Sequence, residues 1–184
     1  MIQMPEKNVA DGSNPMRGIS ISKLVINIGT GSDEQVQGNA KRLIETITGR
    51  KPADGRSKVR NPSFRIAKGQ KIAAFVTVRG EEARKLAKRL FEAVDNKVNE
   101  SAITDNSLSF GIPEYIDISG VRYDPKIGML GMNVNISFSR KGLRVAMRKS
   151  RHSGIPRTHR VIGKEEIREY VKREFGVSPI EQVN

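Results

Sequence analysis

Residues 24–35 read LVINIGTGSDEQ, an apolar run followed by Gly29 and Gly31 at the start of a helical pattern. A glycine turn that opens a helix can cradle a phosphate with backbone N–H groups and the positive helix end. A dinucleotide fingerprint, however, needs a third glycine where Glu34 stands, and a carboxylate there repels a pyrophosphate. A Walker loop needs Gly-Lys followed by Ser or Thr, which the sequence lacks. The stretch fits a capping box instead, with Ser32 as N-cap, Gln35 at the third helical position, and Asp33 and Glu34 against the positive helix end. The two histidines, His152 and His159, lie seven residues apart in a cationic segment with no Cys or acid beside them, which argues against a metal site. No Ser/His/Asp pattern supports a hydrolytic triad. The expectation is a protein that is not an enzyme, with no metal and no cofactor.

Charge points to the partner. The 184 residues carry 33 Lys/Arg against 20 Asp/Glu, a formal net charge of +13, which calls for a polyanion and above all nucleic acid. The excess is local: residues 50–71 hold eight Lys/Arg against Asp54 alone, and residues 140–160 hold eight with no acid. The remainder of the chain is nearly balanced. Cysteine is absent, no run approaches the length of a membrane span, and the N-terminus has no apolar secretory core, so a soluble cytoplasmic protein without a membrane partner is expected.

The elements that would carry these segments follow from periodicity. Residues 1–17 lack a pattern and read as a flexible tail, leaving 18–184 as a single domain. Leu24, Ile26 and Ile28 alternate with Lys23, Val25 and Asn27, as in a strand with one buried face. Val36, Ala40, Leu43, Ile44 and Ile47 recur at helical spacing up to a stop at Gly49. Ile72, Ala74, Val76 and Val78 mark a second strand, with Phe75, Thr77 and Arg79 on its other side. Ala83, Leu86, Ala87, Leu90, Val94 and Val98 mark a second helix. SLSFGIPEYIDI and GMNVNISFS read as later strands, and KEEIREYVKREFG as a last helix ended by Gly176.

These pieces predict an α+β fold, a mostly antiparallel sheet with helices packed on one face. The other face would present Asn27, Thr77, Arg79, Asn133, Asn135, Ser137 and Ser139, amides and hydroxyls suited to hydrogen bonding. KIAAFVTV overlaps an RNP1 pattern only in part, because Ile72, Ala73 and Val78 replace its glycine and outer aromatics. With aromatics at 5% of residues, recognition of a folded RNA by phosphates, 2′-hydroxyls and shape is favoured over base stacking.

LVINIGTG, ITGRKP, SFRIAKGQKIAAFVTVRGE and SFGIPEY, in that order, resemble the universal ribosomal protein five of the large subunit, over about residues 23–177. The resemblance implies a non-enzymatic protein whose concave sheet face holds 5S rRNA in the central protuberance. It also implies links to large-subunit rRNA, the P-site tRNA and neighbouring ribosomal proteins, including a small-subunit bridge protein. By motif, the 5S-facing residues would be Asn27, Arg50, Lys51, Phe64, Arg65, Thr77 and Arg79. A tRNA-facing loop would comprise Arg56, Lys58, Arg60, Asn61, Pro62 and Ser63. Arg50 stands where bacterial members usually have glutamine.

The segment RKGLRVAMRKSRHSGIPRTHRVIG resembles the archaeal and eukaryotic form of the family, and it offers Arg140, Lys141, Arg144, Arg148, Lys149, Arg151, Arg157 and Arg160 to rRNA. Its self-repulsion, together with Gly142, Gly154 and Pro156, predicts a segment that is mobile without RNA. The alternation of Leu143, Val145 and Met147 allows either an anchor on the body or an extension of the last strand. An extra-ribosomal module for tRNA or another structured RNA is the alternative reading.

Overall fold

The computed structural model describes residues 14–180. The expected tail therefore lies mostly outside the described residues. Pro15–Arg17 form a 3-10 turn in which Asn14 Oδ1 accepts from the Met16 N–H at 3.1 Å.

Strand β1, Ile19–Gly29, follows the expected alternation: Leu24, Ile26 and Ile28 are buried and the residues between them are not. Helix α1 spans Glu34–Thr48 and ends at Gly49, whose φ of 64° is the left-handed C-cap. Its N-cap is Asp33, not Ser32. The Asp33 Oδ1 atom accepts from the Gln35 N–H at 2.9 Å, so the carboxylate both satisfies a free N–H and faces the positive helix end.

Strand β2 (Ala53–Arg56) and strand β3 (Lys71–Val78) are followed by helix α2, Glu81–Glu92. Ala83, Leu86, Ala87 and Leu90 form its buried stripe as expected, but Val94 and Val98 are not part of the helix. Asp95 and Asn96 both take left-handed φ, and the Asn96 N–H turns back to the Phe91 carbonyl at 2.9 Å, which breaks the helix. Phe91 completes the stripe, and Val98 is buried instead in strand β4, Lys97–Asn99.

Strand β5 (Ile103–Thr104) and strand β6 (Ser107–Ile112) come next. SLSFGIPEYIDI is thus a strand only as far as Ile112: Pro113 has no N–H to give a ladder, and Tyr115–Asp117 form a 3-10 turn. Tyr115 is fully buried, and its hydroxyl accepts from the Asp124 N–H at 3.1 Å. The loop it starts is tied to the helices. Asn39 Nδ2 donates to the Lys126 carbonyl at 2.9 Å, and Arg89 Nε to the Ser119 carbonyl at 3.1 Å. Strand β7, Met132–Arg140, is followed by the short helices α3 (Arg144–Met147) and α4 (Arg157–Arg160), helix α5 (Lys164–Phe175, ended by left-handed Gly176) and strand β8 (Ser178–Ile180).

Six strands form one antiparallel sheet in the order β2-β3-β1-β7-β6-β5, and β4 pairs in parallel with β8. Helix α1 packs against β3, α2 against β1 and α5 against β5. A row of rings joins the layers: Phe91 stacks on Phe110 at 5.0 Å and meets Phe175 at 5.1 Å, while Tyr170 meets Phe138 edge-on at 5.7 Å. The α+β class and the one-sided packing are as expected.

Because Phe91 is fully buried between β6 and α5, Phe91→Ala should lower unfolding free energy by about 3–5 kcal/mol, read from the urea midpoint at unchanged m-value.

Candidate nucleic-acid interface

Residues opposite one another in an antiparallel pair point to the same side of the sheet, so the register assembles the face that the helices leave uncovered. One transverse row runs Ala53, Phe75, Asn27, Asn133, Gly111. The next runs Thr77, Val25, Asn135, Ser109, and the one after it Lys23, Ser137, Ser107. On the other side of the first row lie Gly55, Ala73 and Gly29. Further along, Ser20 faces Ser139 and donates its hydroxyl to the Ser139 carbonyl at 3.2 Å.

These paired rows contain one charged side chain, Lys23, and no acid. Among the described residues, the side chains of Asn27, Thr77, Asn133 and Asn135 make no hydrogen bond within the chain, so their donors and acceptors are free for a ligand. The structure brings together every expected open-face residue except Arg79, which lies one position past the end of β3 with no strand partner. Sequence reasoning overlooked Ser107, Ser109 and Gly111. Their signal was the alternation with Leu108, Phe110 and Ile112, which face the helices.

The first basic segment is a hairpin that continues β2 and β3. The Ser57 N–H donates to the Gln70 carbonyl at 2.8 Å, and Asn61 and Ile66 exchange backbone bonds at 2.9 and 3.0 Å. The tip, Pro62–Arg65, is set by Asn61 Oδ1 accepting from the Ser63 N–H at 3.1 Å and by the left-handed φ of Arg65. Phe64 and Arg65 therefore share one turn with Pro62 and Ser63, although the motifs assigned the two pairs to different partners. Phe64 is 70% exposed and Val59 72% exposed, and Arg56, Lys58 and Arg60 are exposed along the same hairpin.

Asp54 anchors the root of this hairpin. Its carboxylate accepts from Gln37 Nε2 at 3.2 Å and lies 2.5 Å from Lys41 and 3.7 Å from Lys71, joining α1 to β2 and β3. The hydrogen bond from Lys41 is the main cause that holds the Asp54 carboxyl below its ordinary range; desolvation opposes it, and the charges of Lys41 and Lys71 add to the lowering. Beside it, Arg50 is ion-paired with Glu82 of α2, with Nε donating at 3.1 Å, while Lys51 is exposed.

The second basic segment leaves β7 at Arg140, whose side chain is only 14% exposed. Its guanidinium donates to both Glu166 oxygens, at 3.0 and 2.8 Å. The segment does not extend the strand: Leu143 and Val145 are half-buried around α3, and Met147 is 74% exposed. Lys141, Arg144, Arg148, Lys149, Arg151, Arg157 and Arg160 are all exposed, as are both histidines.

The two segments sit at opposite ends of β1. The hairpin rises beside the Gly29–Ala73 pair, and the second segment beside the Ile19–Arg140 pair. Eleven residues of strand separate these ends by about 33 Å, and the amide and hydroxyl rows lie between them.

The model of the family described as "Ribosomal protein L5" matches residues 14–66, and that described as "ribosomal L5P family C-terminus" matches residues 71–168. The large ribosomal subunit protein uL5 of Nanoarchaeum equitans is 40% identical over 168 residues, covering 91% of this chain and 99% of that protein. The chain belongs to the ribosomal L5 family. The large ribosomal subunit proteins uL5 of Methanosphaera stadtmanae and Nitrosopumilus maritimus are 42% and 38% identical to it, covering 90% of this chain and 98% and 95% of their own. In this family member the two matched parts share one sheet: β3, from the second part, lies between β1 and β2, both from the first.

A carboxyl held low contributes stability above its unfolded value, near 3.9, and loses that contribution as pH falls through the folded value. Wild-type protein should therefore lose denaturation midpoint relative to Asp54→Asn as pH falls below about 5 and on through the lowered folded value, with the two curves parallel above that window.

Proposed function

We propose that this chain is a structural constituent of the large ribosomal subunit, not an enzyme, and that it works in the cytoplasm as one RNA-binding domain over residues 18–184. Its open sheet face holds 5S rRNA. The observation that carries this reading is the set of uncommitted amides and hydroxyls, Asn27, Thr77, Asn133 and Asn135, flanked at both ends of β1 by cationic segments. A charged polymer with hydroxyls and base edges of its own meets both requirements at once. Membership of the family supports it, since the matched archaeal relatives are named large ribosomal subunit proteins.

On this reading, Phe64, Arg65 and the Asn61–Ser63 turn form one tip that reaches the P-site tRNA and 5S rRNA from the same hairpin. The exposed cations of residues 141–160 link the complex to large-subunit rRNA. Arg50 and Arg140 contribute less to RNA binding than their charge alone implies, because Glu82 and Glu166 already neutralise them. A small-subunit protein completes the proposed partners.

The test is a competition titration of labelled 5S rRNA against excess tRNA and a scrambled duplex at two salt concentrations. 5S rRNA should survive the challenge at the higher salt, and log affinity should fall with log salt by about 0.7–0.9 per phosphate contact. Equal competition by all three RNAs would leave a non-specific basic protein, and preference for tRNA would favour the extra-ribosomal reading. Asn27→Ala and Thr77→Ala should each cost about 1–3 kcal/mol of 5S affinity by stranding an RNA group. Wild-type affinity in both variants would remove the open face from the interface.

A further inference from the structure

The segment 141–160 carries seven Lys/Arg and no acid in twenty residues, so its charges push the loop open. Its ends are nonetheless brought together. Asn106, in the turn between β5 and β6, accepts at its carbonyl from the Phe138 N–H at 2.8 Å, on the strand that leads into the loop. Its side-chain Oδ1 accepts from the Ile162 N–H at 2.7 Å, and its own N–H donates to the Ile162 carbonyl at 3.3 Å. Ile162, just past the loop, is fully buried. Asn106 takes φ 63°, a conformation in which asparagine is enriched and most other residues are strained. Beside it, the Arg140 guanidinium that pairs with Glu166 also reaches the Val161 carbonyl at 3.5 Å.

We propose that Asn106 is a positioning residue for RNA binding, a clamp that fastens the return of the 141–160 loop to β7 and so presents its cations in a fixed place. The proposal rests on the reading that this loop binds rRNA. Asn106 itself lies outside both basic segments, so on this proposal it acts through the loop and not by its own contact with RNA. Removing Oδ1 strands the Ile162 N–H and frees the loop to swell, so cations must be gathered from a broader ensemble when RNA arrives.

The test uses the full chain with three variants: Asn106→Gly, which keeps the left-handed backbone but loses the acceptor; Asn106→Asp, which keeps the acceptor; and the paired loop variant Arg148→Ala with Arg151→Ala. Each is assayed for tryptic cleavage without RNA, for thermal midpoint, and for binding to a large-subunit rRNA transcript at two salt concentrations. Asn106→Gly should speed cleavage inside 141–160 alone, weaken binding about tenfold and flatten the salt slope, with the thermal midpoint lowered by only the few degrees that one stranded N–H costs. Asn106→Asp should restore loop protection. If the paired loop variant weakens binding while Asn106→Gly leaves affinity and slope at wild type, the clamp is refuted and the rRNA reading stands. If the paired variant binds as wild type, the loop is no rRNA contact and Asn106 has nothing to position. A uniform loss of stability in Asn106→Gly that Asn106→Asp fails to rescue also overturns it, in favour of a purely structural role.

Discussion

The two-residue alternation of β1 constrains everything built around it. Leu24, Ile26 and Ile28 are almost completely buried, and their neighbours in register on β3 and β7, Val78, Val76, Ala74, Ile136 and Val134, are buried with them. A slip of one residue would turn that whole apolar set toward water. With the register locked, α1, α2 and α5 can cover only one side. Val25, Asn27, Thr77, Asn133 and Asn135 are then left on a side that no other part of the described chain covers. The open face is thus a direct consequence of how the core is satisfied.

The same division organises the charge. The excess of cations, which would be costly beneath the helices, is concentrated in two excursions from strand ends, and each excursion has a polar root. Asp54 gathers Gln37, Lys41 and Lys71 under the hairpin, and Asn106 with the Arg140–Glu166 pair closes the second loop. Rooting matters because a self-repelling loop gains entropy by opening. A loop fixed at its base can place its charges before a polyanion arrives.

Much of this was legible from the sequence. Alternation and helical spacing gave the strands through Leu24, Val76 and Val134 and the helices ending at Gly49 and Gly176, because period and C-cap glycines are local properties of the chain. What failed was decided by contacts or by competing local geometry. Asp33 displaced Ser32 as the cap, since a carboxylate serves both the hydrogen bond and the helix dipole. Val94 and Val98 kept a helical spacing past Glu92, where α2 ends ahead of the left-handed turn at Asp95 and Asn96. The pairing of Arg50 with Glu82 and of Arg140 with Glu166 joins residues 32 and 26 positions apart, and nothing in a linear charge count reveals it. Asn106 carried no signal beyond being an asparagine in a turn. Its importance comes entirely from Phe138 and Ile162, which fold beside it.

The proposed function requires RNA to lie on the open sheet face and the hairpin tip, not on the helical side. Oxidative footprinting of the protein with and without 5S rRNA tests this most directly. Phe75 on the open face and Phe64 at the tip report one side; Tyr123 and Met129, exposed in the loop tied to α1 and α2, report the other. RNA should shield Phe64 and Phe75 and leave Tyr123 and Met129 as reactive as before. Shielding of Tyr123 and Met129 with Phe64 and Phe75 unchanged would contradict it.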